Sequence, residues 1–294
     1  AEGSSPLNPG KIMASYIHFK YDSDDLDGPA LRLYPLACMH VGASQCDMRF
    51  IKEQIARIKH DPAARWAYLG DGGECVTTMS KGDVYGQLLA PGQQQDLLVD
   101  LLSPIKEKGL FGIIGNHGAR IYKATGLDFD HTLCARLGIP FLGLAAMANF
   151  VVNRSSYDMY FHHGIDSGVT LQSKIAKAES FGKFIDADAI FTAHSHVAIA
   201  LQPAALLSAD NDRSRVRTKL RHQYICGSAY DSRTGYAEAK GYPPLLPSWL
   251  SVEFNGKIVM GKAQYSQDHT VYRSDGSYTQ SHEYVLDYMR GTGE

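Results

Sequence analysis

The sequence predicts an α/β sandwich, two mostly β layers flanked by helices, on three observations. Apolar runs of strand length alternate with amphipathic stretches of helix length from residue 31 to about residue 197, a βαβ rhythm. After that point strand-like runs dominate. Polar residues, histidines among them, collect where the apolar runs stop, the position at which open α/β sheets place their ligands.

Composition narrows the class. A chain of 294 residues allows one large domain or two small ones. The balance of 29 Lys and Arg against 31 Asp and Glu gives no overall field for nucleic acid or an anionic membrane, and only a local patch would act. No apolar run approaches ~20 residues, so no membrane span is expected. Five widely spread cysteines, an odd count without a short-spaced pair, suit a reduced, cytoplasmic setting. The opening Ala1-Glu2-Gly3-Ser4-Ser5 lacks an initiator Met and a signal-peptide core and is expected to be a trimmed end.

In order, residues 1–30 read as a polar arm, with Asp22, Asp24, Asp25 and Asp27 before Gly28-Pro29. That acidic cluster lacks the spacing of a calcium loop. Leu31 to Cys38 is the first core strand. Asp47 caps a helix with Phe50, Ile51, Ile55 and Ile58 on its apolar face, and Asp61-Pro62 stops it. Trp66 to Leu69 is the next strand. Gly82, Gly86, Pro91 and Gly92 make residues 75–95 an irregular lid or loop. Asp96 to Lys108 is helical, with Leu97, Leu98, Leu101, Leu102 and Ile105 buried, and Gly109 closes it. Leu110 to Ile114 has the branching of a buried strand and ends abruptly in Gly115-Asn116-His117. A helix over His131 to Leu137 follows, then strands over Pro140 to Leu144, Ala148 to Val152 and Met159 to Phe161. Leu171 to Phe184 is an amphipathic helix and Ala189 to Thr192 a strand. The remaining strands are Ala198 to Leu201, Val216 to Cys226, Trp249 to Phe254 and Ile258 to Tyr265, and residues 266–294 form a polar and aromatic tail.

Five strands thus end in a potential metal ligand or its neighbour: His40, Asp71, Asn116, His162 with His163, and His194 with His196. Alternate residues on an extended segment share a face, so His194 and His196 can converge on one site. The blocks are Cys38-Met39-His40, Gly70-Asp71-Gly72-Gly73-Glu74, Gly115-Asn116-His117-Gly118, His162-His163-Gly164 and Ala193-His194-Ser195-His196. In this order they resemble the calcineurin-like metallophosphoesterase superfamily, whose pattern is Asp-x-His, Gly-Asp-x-x-Asp, Gly-Asn-His-Asp/Glu, His and Gly-His-x-His. The intervening text, including Gly227-Ser228 and Tyr242-Pro243-Pro244, is similar to a phage and bacterial subgroup.

The resemblance implies a four-layer α-β-β-α metallophosphoesterase sandwich over residues 31–265, between an N-terminal arm and a C-terminal tail. It implies a phosphatase or phosphodiesterase that uses a dinuclear metal-activated hydroxide. The cofactors would be two divalent or transition ions, Mn, Fe or Zn. By analogy Asp71 bridges both ions. Cys38, His40 and His196 complete one site; Asn116, His194 and a middle histidine complete the other. His163 is favoured for the middle position because it precedes Gly164, with His162 as the alternative. His117 would face the phosphate and stabilise the transition state or protonate the leaving oxygen. Cations roughly 3.5–4 Å apart clamp a phosphoryl group.

Three residues depart from the pattern. Cys38 stands where the family has Asp, and a thiolate binds Zn or Fe well. Glu74 replaces an Asp. Gly118 replaces the acidic residue that follows the Asn-His pair, which predicts a less firmly oriented His117. Outside the blocks, Arg213, Arg215, Arg217, Lys219 and Arg221 alternate, so on one strand all five would share a face. That face is either a charge-guarded edge or a basic rail for DNA or RNA. Two alternatives therefore stand beside the phosphoester hydrolase: a nuclease of the same fold using that strand, and a binding module that has lost catalysis.

Overall fold

A computed structural model describes residues 15–80, 84–153, 155–165, 168–201, 204–209, 212–233, 238, 241–254, 258–265, 270–272 and 278–280. Within it, 204–209, 212–220 and everything after 254 are described by backbone alone. An 11-stranded sheet organises the chain. Its main path runs β1 (Ser15–Tyr21), β5 (Ala145–Val152), β6 (Ser155–His162), β7 (Ala189–Thr192), β11 (His222–Ser228), β12 (Ser248–Phe254), β2 (Leu31–Leu36), β3 (Ala64–Tyr68) and β4 (Gly109–Gly112). β8 (Ala198–Leu201) pairs with β11, and β13 (Ile258–Tyr265) pairs with β12.

The sheet folds over at one joint. β11 and β12 share only two residue pairs, Gly227 with Trp249 and Ser228 with Ser248. Gly227 has φ +80°, and a Cβ there would collide with the Ser248 carbonyl oxygen, so the corner requires glycine. The two ends of the path consequently face each other. Phe19 of β1 lies 6.3 Å, centroid to centroid, from Phe111 of β4, and Phe111 lies 5.1 Å from Phe161 of β6. Between the halves is one apolar core that includes Leu33, Phe111, Phe150, Phe161, Phe191 and Val252.

Alternation along each strand supplies the outer layers. On β3, Ala67 faces the inner core, whereas Trp66 and Tyr68 face α2 (Met48–His60), α3 (Pro91–Leu102) and α5 (Phe129–Leu137). On the other half, Tyr160 and Ile190 pack outward against Phe181 of α6 (Leu171–Phe181). Helix, sheet half, sheet half and helix make four layers, as expected. Burial of each large side chain in these layers contributes about 1.5–3 kcal/mol.

Local chemistry sets the helix ends. The Asp47 carboxylate accepts from Phe50 N at 2.9 Å, and Arg57, Lys59 and His60 in the last turn of α2 complement its dipole. α3 begins at Pro91, not Asp96. Pro91 breaks nothing because it is the first helical residue, where its missing N–H is not needed, and the Gln93 side chain accepts from Ala90 N at 3.0 Å. The helix passes at Ser103 into a 3-10 turn, Ser103–Lys108, around Pro104.

Other expectations are corrected. Residues 15–21, inside the expected arm, form β1 and pair in parallel with β5; Ile17, Phe19 and Tyr21 pack on the core while Tyr16, His18 and Lys20 face outward. Asp22 to Asp27 fold around the short helix α1 (Ser23–Leu26), where Asp22 N donates to the Asp25 carboxylate. Residues 140–144 make a single bridge, Phe141 with Gly112, because Gly143 turns the chain. Helix α6 stops at Phe181, and Gly126 ends an unexpected helix, α4 (Asn116–Thr125). The expected strand 216–226 is two, β10 (Asp212–Leu220) on β9 (Ala204–Ala209), then β11. The register of β10 slips between Asp212 and Val216, and Arg221 lies beyond its end, donating to the Gly182 carbonyl. The five basic residues therefore do not continue one alternation; the side chains at 213–219 lie outside the described ones. In the expected tail, Thr270–Tyr272 pairs with Tyr278–Gln280. No described helix is long and apolar enough to cross a membrane.

Candidate metal centre

Strands β2, β3 and β4 are mutually parallel, as are β6 and β7, so the turns that follow them gather at one edge. These turns are held in unusual backbone. Cys38, His40, Asp71, His194 and His196 all have φ between 49° and 66°, a left-handed region costing roughly 1–3 kcal/mol per non-glycine residue. Their surroundings enforce it. Cys38 N donates to Gly70 O and His40 N to Asp71 O, both at 3.1 Å, while the Cys38 carbonyl accepts from Ala229 N and Ser228 Oγ. The Asp71 and Asn116 turns touch backbone to backbone: a Cβ at Gly115 would strike Asp71.

Asp71 lies at the centre and is fully buried. Its Oδ1 accepts from His117 N at 2.8 Å, at the N-terminus of α4, where a carboxylate is favoured. Its Oδ2 has no hydrogen bond of acceptable geometry among the described residues, although His163 Nε2 lies 3.0 Å away. Burial alone would raise this carboxyl's pKa, but His163 and His117 override it and hold it well below the usual range. Asp71 is therefore an anion.

The histidines point their second nitrogens at this anion and at each other. His163 Nδ1 donates to the Leu69 carbonyl at 2.6 Å, which leaves Nε2 facing Asp71 Oδ2 and, at 2.9 Å, Asn116 Oδ1. His194 Nδ1 lies 2.9 Å from the same Asn116 oxygen. His40 Nδ1 donates to Glu74 Oε2 at 2.8 Å, which leaves Nε2 only 3.0 Å from His196 Nε2. Burial and the neighbouring His40 push His196 well below the ordinary histidine pKa, so it carries no charge.

The Nε2–H tautomer of a neutral His196 can donate to His40 Nε2, and a protonated His163 Nε2 can face its two oxygens; a metal ion would satisfy the same atoms. The donor chemistry fits a metal. Cys38, His40 and His196 offer ligand atoms within 4.8 Å of one another, as do Cys38, Asp71 and His163, and also His40, Asp71 and His117. Cys38 is fully buried, and burial followed by the Asp71 charge raises its thiol pKa well above normal. A bound cation would reverse that order.

Two expectations change. His162 turns away: its Nδ1 accepts from Gly164 N, its ring lies 4.9 Å from Phe181, and burial lowers its pKa to about 4. Strand alternation puts His162 on the α6 side and His163 on the cluster side. His117 is firmly oriented despite Gly118, because its Nδ1 donates to the Glu74 carbonyl at 2.6 Å. It also stands within ligand reach of His40 and Asp71, so geometry offers it as a ligand as well as a proton carrier.

Sequence reading singled out neither Tyr230, whose ring packs on His40 and His196, nor Lys174, whose Nζ donates to the Ser195 carbonyl. Nothing local marks them. Glu74, marked in the sequence only as the replacement of an Asp, is the partner of His40.

No family model matches the sequence, and no curated protein is similar to it. Among solved structures, the chain is similar to Vacuolar Protein Sorting 29 from Cryptosporidium parvum, at 13% identity and TM-score 0.42, over 85% of this chain and 95% of that one. It is similar to a metallophosphoesterase from Sphaerobacter thermophilus, at 13% identity and TM-score 0.42, over 80% and 87%. It is also similar to the calcineurin-like phosphoesterase YfkN from Bacillus subtilis, at 11% identity and TM-score 0.37, over 80% and 90%.

Proposed function

We propose that the chain is a metal-dependent phosphoester hydrolase of the calcineurin-like metallophosphoesterase type. One observation supports this above the rest: the buried Oδ2 of Asp71, without a well-formed hydrogen bond among the described residues, lies near imidazole nitrogens whose other nitrogens are already committed to carbonyl or carboxylate acceptors. Asp71 would be shared by two ions. Cys38, His40 and His196 would hold one; Asn116, His163 and His194 would hold the other. Divalent ions at such a place supply Lewis acidity toward a phosphoryl oxygen and lower the pKa of water.

The chain's own residues do the rest. Glu74 keeps His40 in the tautomer whose Nε2 can ligate, and Leu69 O does the same for His163. His117 is neutral at pH 7, since burial lowers its pKa to about 4, and its Nδ1 proton goes to Glu74 O. Its Nε2 therefore accepts or shares a proton at the substrate, a role that fits better than delivering one to the leaving oxygen.

The test is elemental analysis of the purified chain, then turnover of a phosphomonoester, a phosphodiester and single-stranded DNA. About two equivalents of metal and turnover of one ester class are expected. Metal without turnover of any substrate would favour the binding-module alternative, preference for DNA the nuclease. A chain that takes up no metal refutes the proposal.

A further inference from the structure

We propose that Asp130 is a positioning residue of the metal centre, one buried carboxylate that couples the Asp71 turn to the Asn116 turn. The inference rests on the metal-centre reading above. Asp130 lies in the first turn of α5 and is fully buried. Its Oδ2 accepts from Gly115 N at 3.0 Å, the residue before Asn116. Its Oδ1 accepts from the Tyr68 hydroxyl at 2.6 Å, and that hydroxyl accepts from Gly72 N at 2.8 Å, the residue after Asp71. One carboxylate thus fixes the backbone beside both residues.

The surrounding packing is arranged around that carboxylate. A Cβ on Gly118, in the first turn of α4, would collide with Asp130 Oδ2, so the helix that carries Asn116 and His117 leaves out a side chain where the carboxylate sits. A Cβ on Gly72 would lie 2.8 Å from the Tyr68 oxygen, so the Asp71 turn closes equally tightly over the other end of the relay. The carboxylate has a structural share as well, which the experiment below separates from positioning. Tyr68 lies among Phe129, Leu133, Cys134 and Leu98, and with Asp130 it supplies the acceptors for Gly115 N and Gly72 N, which an apolar pair would leave buried and unsatisfied. Hydrogen bonds to the two oxygens of one side chain give directional control of both turns, which apolar packing does not.

The experiment measures the affinity of the full chain for Mn²⁺ and for Zn²⁺ by equilibrium titration, together with the thermal midpoint of the metal-free protein. The variants are Asp130→Asn, Tyr68→Phe and Gly118→Ala. Asp130→Asn and Gly118→Ala should each weaken metal binding by about 10–100-fold, the usual effect of losing an outer partner of a metal ligand. Tyr68→Phe should weaken it less, and adding it to Asp130→Asn should cost little more, because the two act in one relay. A purely structural Asp130 would lower the metal-free midpoint and leave affinity unchanged in the folded variants. Unchanged affinity in all three variants, with tight binding by the unmodified chain, overturns the positioning role alone. No binding by the unmodified chain overturns this proposal and the metal-centre reading together.

Discussion

The two sides of the cluster offer different atoms. Cys38, His40 and His196 bring a thiol sulfur and two imidazole nitrogens together. Asn116, His163 and His194 bring an amide oxygen and two imidazole nitrogens. The Asp71 carboxylate is near both. The first side is the softer and suits Zn or Fe; the second, with more oxygen, tolerates Mn. The sides also differ in how they are held. Glu74 orients His40 through a carboxylate, whereas the backbone carbonyl of Leu69 orients His163. On the proposed two-ion reading, the two sides should therefore lose both metals through Asp71 but respond separately elsewhere.

The largest effect is expected from Asp71→Asn, which would remove the carboxylate proposed to be shared by both sides. Metal content should fall from about two equivalents to less than one and hydrolysis should be lost with it. Retention of both metals on elemental analysis would show that the sides do not share Asp71.

Next is His117→Ala. If His117 carries a proton, both metals should stay and turnover should fall by about 10²–10⁴-fold. Loss of one metal would instead move His117 into the ligand set, beside His40 and Asp71.

Cys38 separates the two sides most directly. Cys38→Ser should weaken one ion of the pair, and Cys38→Asp should shift preference from Zn or Fe towards Mn. X-ray absorption of the loaded protein should show a metal–sulfur distance near ~2.3 Å. Both variants unchanged, and no sulfur around the metal, would return Cys38 to the core.

The smallest effect compares the cluster with its neighbour His162. Burial holds His117 and His162 each at about 4 and His196 well below the ordinary value, against ~6.5 in an unfolded chain. With folded values lowered, the unfolded chain takes up protons first. Stability of the metal-free protein from these groups is complete above ~6.5 and is lost as the pH falls towards 4. His163, raised by Asp71 against its burial, works in the opposite direction. In His162→Asn the amide oxygen can still accept from Gly164 N, so the metal-free thermal midpoint should depend less steeply on pH while metal release with acid is unchanged. A shifted metal-release curve would place His162 in the cluster.

Local pattern determined much of this protein. Strand-length apolar runs, helix periodicity and caps such as Asp47 act over a few residues, so they can be read directly, as can the five strand-end blocks, whose His40, Asp71, Asn116, His194 and His196 the structure brings together. Beyond that reach the tertiary structure decided. Asn116 and His117 begin a helix because the Asp71 carboxylate accepts at its N-terminus from 46 positions away. His163 rather than His162 faces the cluster because pairing with β5 and β7 sets which face of β6 turns inward. β1 exists because β5, about 130 residues further on, supplies its partner. Asp130 meets Tyr68 across 62 positions, and the fold of the sheet turns on two residue pairs at Gly227 and Ser228. Each depends on which distant backbone arrives alongside, and a sequence pattern records the chemistry of a residue but not its neighbour in space.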